Sequence, residues 1–188
     1  MDEKIEEIKK DLQKTEYFNQ ITSLEITKKR KEAAIEFGKL VLIELKSLNL
    51  PFAEFIIDVG NEYGDVQFLF SANLGAPPSP IEACASGGEL SRLLLAIKTV
   101  MVDGNSTLVF DEIDSNVGGN TASILGQKLM GLAKKRQVIC VTHFVQVAKF
   151  ATNHILVSKM AKEDQTYTTA VSLSENDKRT EYERMLGN

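Results

Sequence analysis

An α/β fold preceded by a long helix is predicted for this chain, and two observations indicate it. From about residue 51 onward, strand-type and helix-type segments alternate, which is the pattern of a mostly parallel sheet covered by helices. The first 48 residues contain no proline and a single glycine, Gly38, and they are rich in Lys, Glu, Ile and Leu. We therefore divide the chain into a helical arm, residues 1–50, and a globular lobe, residues 51–188.

The arm is predicted to be one helix that ends at Leu50 and Pro51. Ile5, Ile8 and Leu12 recur at helical spacing, and charged residues of both signs are mixed along the segment. At about 1.5 Å per residue such a helix would be roughly 70 Å long. Two arrangements are consistent with this pattern: an exposed helix lying along the lobe, or one strand of an antiparallel coiled coil whose partner lies outside the chain.

The lobe is predicted to contain two hairpins separated by an alternating segment. The first hairpin pairs residues 52–59 with 66–71, and the following residues 76–80, rich in proline, are predicted to be a rigid, non-helical connector. The alternating elements are, in order, helix 88–102, strand 107–110, helix 121–134, strand 138–142 and helix 144–151. A second hairpin within residues 155–173 would give the sheet an antiparallel edge, and a last helix would run through Leu186.

The composition excludes several classes of protein. A formal net charge of -4 gives no overall basic signal for nucleic acid, and the basic cluster at residues 28–31 fits a solvated helix face. Cys84 and Cys140 match no metal-ligand spacing and are expected to be reduced thiols, with a disulfide between them as the alternative. No apolar run approaches the roughly 18 residues of a membrane span, and the N-terminus is charged. These features predict a cytoplasmic protein that does not contact a membrane.

A serine followed by two glycines marks the start of the first helix of the alternating segment. Ser86 as N-cap and Glu89 as third helical residue predict a capping box. The apolar face of this helix is predicted to consist of Leu90, Leu93, Leu94, Ile97 and Met101. The same residues admit a functional interpretation, because Gly87 and Gly88 would let backbone N–H groups approach an anion at the helix N-terminus. Both interpretations can hold at once.

Two carboxylates and one histidine follow the predicted strands of the sheet. Asp111 and Glu112 come after residues 107–110, at the strand end where ligands usually bind in α/β sheets. One carboxylate could organise Mg²⁺, generally through water, and the next could accept a proton from an attacking water; a solvated acidic turn is the alternative. His143 follows the next strand and could reach a γ-phosphate or be structural, whereas His154 has no such setting and is interpreted as structural.

Taken in order, these segments resemble the C-terminal half of an ABC-type ATPase head of the SMC/Rad50 kind. The signature motif corresponds to residues 85–89, Walker B to 108–112, the D-loop to the residues around Asp114, and the switch histidine to His143. Three segments are similar in sequence to the RecN family of bacterial SMC-like DNA repair proteins: residues 68–75, the signature block through Arg92, and the ending at residues 184–187. This resemblance covers about residues 28–188.

The resemblance implies an ABC-ATPase-like P-loop NTPase half-domain that binds ATP and Mg²⁺. Glu112 would be the general base, Asp111 would support Mg²⁺ through water, and His143 would contact the γ-phosphate of ATP on its own head. Asp114, in the D-loop, would link the two nucleotide sites of a pair of heads. The residues expected to contact ATP held by the opposing head are Ser86, Gly87, Gly88 and Glu89.

A Walker A sequence, G-x-x-x-x-G-K-[ST], occurs nowhere in the 188 residues. The chain is therefore expected to begin partway into the coiled coil, to need an N-terminal Walker A half as partner, and to be inactive alone. The resemblance further implies ATP-dependent association with a second head, action on DNA in double-strand-break repair and recombination, and a place at the bacterial nucleoid. Two alternatives are a non-catalytic coiled-coil and head dimerisation module, and the head of another SMC-like family such as Rad50.

Overall fold

The computed structural model describes residues 2–60, 65–83, 86–101, 106–162 and 165–187. The predicted turn at residues 61–64, Cys84, Ala85 at the start of the signature motif, and the predicted helix end at Val102 therefore lie outside the described residues.

The chain forms two compact units, one from residues 1–46 and 52–85 and the other from residues 47–51 and 86–188. The functional division into an arm and a lobe at residue 50 stays a prediction.

A single long helix, α1, spans Asp2–Ser47 and confirms the helix predicted for the arm. Just beyond its end Asn49 adopts a left-handed conformation with φ of 62°, which is common in the residue that terminates a helix. Ile5, Ile8 and Leu12 are all exposed. The helix of the arm is therefore present, and these three apolar side chains are exposed to solvent on it. The coiled-coil partner stays a prediction.

The rest of the first unit is a three-stranded antiparallel sheet. Strands β1, Glu54–Val59, and β2, Val66–Ser71, form the predicted hairpin. A short third strand, β3 (Ser79–Pro80), pairs with β2, and a 3₁₀ helix, Ile81–Ala83, follows it. The prediction of a mere connector over residues 76–80 is thus wrong at its end. Proline is tolerated there because β3 lies at the edge of the sheet, where a missing N–H group needs no partner.

The second unit begins with helix α2, Gly87–Val100, followed by a strand-helix-strand unit. Its elements are β4, Leu108–Phe110; α3, Gly119–Ala133; and β5, Val138–Cys140. Strands β4 and β5 are parallel, and the N–H of Val141 extends their pairing by donating to the Phe110 carbonyl at 2.9 Å. A one-turn helix, α4, then spans Val145–Ala148. The alternation predicted from the sequence is therefore confirmed, with shorter strands.

Helix α2 buries a different face from the one predicted. Of the predicted apolar positions, Leu93 is buried, whereas Leu90 and Leu94 are more than a third exposed. The buried face instead carries Gly88, Arg92, Leu95 and Ala96. The prediction failed because it counted only apolar residues, whereas the polar groups that satisfy Arg92 come from a loop more than twenty residues away.

The chain ends in a hairpin and a helix: β6, Ile155–Lys162; β7, Gln165–Ser172; and α5, Glu175–Met185. The two strands pair antiparallel along their whole length, from Ile155 opposite Ser172 to Lys162 opposite Gln165. The predicted antiparallel strands are therefore present, but within the described residues they form sheets of their own and do not extend the β4–β5 pair. Ser174 and Asp177 form a capping box at the start of α5 that the sequence reasoning missed.

Candidate functional site

The N-terminus of α2 is formed by the signature block, residues 86–89. Ser86 has extended backbone angles and its Oγ accepts a hydrogen bond from the Glu89 N–H at 3.4 Å, as expected of an N-cap. Only this half of the predicted capping box is formed, because the Glu89 side chain makes no bond back to the Ser86 N–H. The helix therefore starts where the sequence predicts, on a weaker cap.

The two glycines of the signature block bring α2 close to the segment that follows β4, residues 111–117, which we call the acidic loop. A Cβ atom added to Gly88 would lie 1.7 Å from Ser115 Oγ and 2.9 Å from the carbonyl oxygen of Glu112. A Cβ added to Gly87 would lie 3.1 Å from Glu112 Oε2. Glycine is required at position 88 because any larger residue would displace the loop. The predicted general base and the signature block are therefore direct neighbours in one chain.

The acidic loop presents both predicted carboxylates to solvent. Asp111 and Glu112 are exposed, and Asp111 Oδ1 accepts a hydrogen bond from the Glu112 N–H at 3.0 Å. Glu112 has a φ of 54° and Asn116 a φ of 58°, a left-handed conformation that is uncommon for residues other than glycine. The Ser115 N–H donates to the Glu112 carbonyl at 3.0 Å and closes a turn. Such a backbone persists only where its surroundings hold it in place.

Asp114 turns inward from the same loop and is almost fully buried. Its Oδ2 accepts hydrogen bonds from the Thr142 hydroxyl and, at 3.2 Å, from the backbone N–H of His143. The His143 Nδ1 lies 3.6 Å from the same oxygen, while 75% of the His143 side chain is exposed. The imidazole ring also packs against Phe144, with ring centroids 4.6 Å apart. Asp114 therefore fixes the backbone of the segment that presents His143 to solvent.

Two side chains of α2 that the sequence reasoning did not single out bind the acidic loop from the other side. Ser91 Oγ donates a hydrogen bond to the Asp111 carbonyl at 2.8 Å. Arg92 Nη1 donates to the Ser115 carbonyl at 2.7 Å and, more weakly, to the Ile113 carbonyl at 3.4 Å. Burial lowers the pKa of the Arg92 guanidinium, and the charge of Glu89 opposes this shift. The signal available in the sequence was an arginine four residues after Gly88, on the same face of the helix.

Cys140, at the end of β5, is a free thiol next to this site. Burial, and to a lesser extent the charges of Asp114 and Asp111, raises the pKa of the Cys140 thiol to about 12. The thiol therefore stays protonated near neutral pH, which argues against a nucleophilic or metal-binding role. The reduced state of the two cysteines stays a prediction.

The predicted site residues thus form two neighbouring groups joined by one loop. Gly87 and Gly88 adjoin Glu112, and Asp114 adjoins His143. No cluster of three or more Asp, Glu, His or Cys side chains suited to a metal ion occurs in the described ranges. None of the helices described is both long enough and apolar enough to cross a bilayer.

Comparison with known proteins identifies relatives by sequence. The DNA repair protein RecN of Treponema pallidum (strain Nichols) is 44% identical over 126 residues, which are 66% of this chain and 22% of that protein. RecN of Haemophilus influenzae is 34% identical over 178 residues, which are 89% of this chain and 32% of that protein. The chain thus spans no more than about a third of the length of these relatives. No protein-family model matches it.

Solved structures identify the fold. The Smc head domain of Pyrococcus yayanosii, with a coiled coil and joint, matches 97% of this chain with a TM-score of 0.62 at 20% identity, over 34% of that chain. The Smc head domain of Pyrococcus furiosus, bound to the C-terminal domain of ScpA, also matches 97%, with a TM-score of 0.60 at 20% identity, over 46% of that chain. By sequence the chain belongs to the RecN family, and by fold it resembles the SMC head domains.

Proposed function

We propose that this chain is the C-terminal part of the head of an SMC-like ATPase that acts in DNA double-strand-break repair and recombination. It supplies the signature block, the Walker B carboxylates and the switch histidine, and a Walker A loop comes from a part of the protein outside this chain. The observation that supports this most strongly is the acidic loop, which adjoins the signature glycines at Glu112 and the switch histidine through Asp114.

The residues of the loop fit the chemistry of ATP hydrolysis. Glu112 is exposed and accepts a proton from the water that attacks the γ-phosphate. Asp111 keeps Oδ2 free while Oδ1 accepts the Glu112 N–H bond, so it can hold a water ligand of Mg²⁺. When bound, Mg²⁺ would neutralise charge on the phosphates. Because hard magnesium ions take most of their ligands from phosphates and water, a single protein carboxylate is sufficient.

His143 and the signature block are assigned to phosphate contacts. Nδ1 of His143 faces Asp114, which leaves Nε2 as the nitrogen available to a γ-phosphate in the same head. Gly87 and Gly88 begin α2, so their backbone N–H groups have no partner within the helix, and the helix dipole favours an anion there. We assign this second contact to ATP held by an opposing head, so that two heads are needed for a complete site.

The sheet offers a surface for the missing Walker A half. Val109, Ile139 and Val141 lie on one face of the β4–β5 pair and are 61%, 46% and 57% exposed. Parallel sheets are normally covered on both faces, so a bare apolar face implies further structure that packs on it. We propose that the N-terminal Walker A half covers this face, and that the complete protein works on DNA in the bacterial cytoplasm, at the nucleoid.

Reconstitution of turnover tests the proposal. The isolated chain should not hydrolyse ATP, and mixing it with a fragment of the same protein that carries the Walker A loop should give turnover. Glu112→Gln should then lower the rate by about 10² to 10⁴, because a positioned general base is lost. Glu183→Gln is the matched control: it removes one exposed carboxylate of α5 and should leave the rate unchanged.

The same reconstituted protein separates the enzyme from the non-catalytic module. Association of heads that requires ATP supports the composite ATPase. Association that ignores ATP, together with no turnover in the mixture, would contradict the proposal and favour a module that only dimerises. Turnover that Glu112→Gln leaves unchanged would instead contradict the assignment of Glu112 as general base.

A further inference from the structure

A buried arginine sits one turn beyond the signature block and has no part in the functions assigned above. Arg92 is 4% exposed, and both hydrogen-bond acceptors of its Nη1 are main-chain carbonyls, those of Ile113 and Ser115. Its buried Nε has no hydrogen-bond partner within the described residues. A buried guanidinium whose hydrogen bonds within the described residues all go to carbonyls adds little net stability to a helix. An apolar side chain of similar volume often gives the same free energy of unfolding. The role of Arg92 therefore lies in where it holds the acidic loop, more than in what it adds to the free energy of unfolding.

The two carbonyls flank Asp114, the residue that holds the backbone of His143. On the same side of the loop, Ser91 binds the Asp111 carbonyl at 2.8 Å. Helix α2 thus donates hydrogen bonds to the carbonyls of residues 111, 113 and 115 in the acidic loop. Glu112 and Asp114 lie between these positions. The left-handed Glu112 falls within this span, and such a conformation needs surroundings that hold it in place.

The loop has little freedom to move independently of α2. A Cβ at Gly88 would overlap Ser115 Oγ, so the helix backbone and the loop already touch at the signature block. Helix α2 is a rigid element of fourteen residues, whose N-terminus is the end assigned to the opposing head's nucleotide. A shift or rotation of that end would reach the loop through Gly88, Ser91 and Arg92, and it is Arg92 that binds the carbonyls on both sides of Asp114.

We infer that Arg92 is a positioning residue that couples nucleotide contact at the signature block to the placement of Glu112 and Asp114 in the same chain. The inference rests on the proposed function. Arginine suits this role because its planar guanidinium presents donors in a fixed geometry, whereas the ammonium group of lysine is a flexible point charge. Arg92 is buried and binds carbonyls of the acidic loop, so its effect should appear in the chemical step and in the response of the loop to ATP.

The test uses the complete protein, with both its Walker A part and this chain. Arg92→Met keeps most of the side-chain volume but removes the donors, and Arg92→Lys keeps the charge but not the fork. Arg179→Met, at an exposed position of α5, is the matched control. The measurements are kcat and KM for ATP, ATP-dependent association of heads, and hydrogen exchange of the backbone amides of residues 111–117 with and without ATP.

Arg92→Met is expected to lower kcat by about 10², as misplaced catalytic groups do, while KM and ATP-dependent association change less than about twofold. Arg92→Lys should fall between this variant and the wild type. In the wild type, hydrogen exchange of the acidic loop should change when ATP joins the heads, and in Arg92→Met this response should be lost. Combined with Glu112→Gln, Arg92→Met should lower the remaining rate no further, because both act through the same group.

A wild-type kcat in Arg92→Met, or a loop that still responds to ATP in that variant, would overturn the inference. So would an additive loss in the Glu112→Gln background. If Arg92→Met does not fold, Arg92→Lys decides: unchanged kcat with an unchanged loop response counts against coupling. A complete wild-type protein that hydrolyses no ATP would instead contradict the proposed function, and the inference would fall with it.

Discussion

Replacing Gly88 by alanine tests whether the signature block and the acidic loop are packed as tightly as the structure indicates. The new Cβ would lie 1.7 Å from Ser115 Oγ and 2.9 Å from the Glu112 carbonyl oxygen. The serine hydroxyl can rotate away. The carbonyl oxygen cannot, because it belongs to the backbone and accepts the Ser115 N–H bond that closes the turn. The loop as a whole must therefore shift by several tenths of an ångström, an order-of-magnitude estimate from the contact distances.

The free energy of unfolding should fall accordingly. Forcing an extra carbon into packed surroundings costs about 1–3 kcal/mol. Alanine in place of glycine within a helix recovers about 0.5–1 kcal/mol of this through backbone entropy. The net loss for Gly88→Ala should be about 1–2 kcal/mol, and Ser115→Ala should relieve part of it in the double variant by removing the hydroxyl.

Urea unfolding followed by circular dichroism measures these differences as shifts of the midpoint. Gly131→Ala is the control, because no atom lies within 4 Å of the added Cβ and the same helix-propensity gain should stabilise the protein by about 0.5–1 kcal/mol. A midpoint for Gly88→Ala at or above that of the wild type would refute the close packing. Strict additivity of Gly88→Ala and Ser115→Ala would refute the contact between them.

Three further predictions concern other parts of the second unit. Gly126→Ala places a Cβ 2.3 Å from the Phe150 ring and should lower the free energy of urea unfolding by about 1–3 kcal/mol, with partial recovery when Phe150→Leu is added. Equal urea midpoints for the wild type and Gly126→Ala would contradict the packing of α3 on this ring. Ser174→Ala removes the capping box of α5 and should lower the free energy of unfolding, measured by thermal unfolding, by about 1 kcal/mol. Ser174→Gly should lower it clearly less. Indistinguishable melting curves for the wild type and the alanine variant would count against the cap. In a Cys84→Ser background at pH 8, Cys140 should react with iodoacetamide about 10³-fold more slowly than in the urea-unfolded chain, since burial raises the pKa of the thiol to about 12 from its ordinary value of 9.0. Equal alkylation rates in the folded and the unfolded chain would show that the thiol is not buried. Because the pKa of Cys140 is raised on folding, the stability that the protonated thiol contributes is present below pH 9 and is lost as the pH rises from 9 towards 12.

Features set by neighbouring residues were predictable from the sequence. Helix α1 and the first hairpin follow from composition, and the start of α2 follows from a serine placed before two glycines and a glutamate. The order of β4, α3 and β5 follows from apolar runs separated by a helical pattern. In each of these cases the signal lies within the segment that it describes.

Features set by distant partners were not predictable. Arg92 occupies the buried face of α2 because carbonyls at 113 and 115 receive it, and nothing next to it in sequence indicates this. Asp114 is buried because Thr142 and the backbone of His143 satisfy it. The pairing of β3 with β2 likewise depends on an edge that only the folded sheet provides. Periodicity identifies which residues prefer burial, but not which polar groups will find partners once buried.

In the proposed enzyme the signature block of one head completes the site of another, and mixing two inactive variants of the complete protein tests this arrangement. Ser86→Arg blocks the signature block and Glu112→Gln removes the general base, so neither variant alone should hydrolyse ATP. In a mixed dimer one site would combine the intact Glu112 of one head with the intact signature block of the other. An equimolar mixture should therefore recover about a quarter of the wild-type rate if the sites act independently in a symmetric dimer. A mixture as inactive as its components, in dimers shown to exchange subunits, would contradict this arrangement, because both residues would then be needed in the same head.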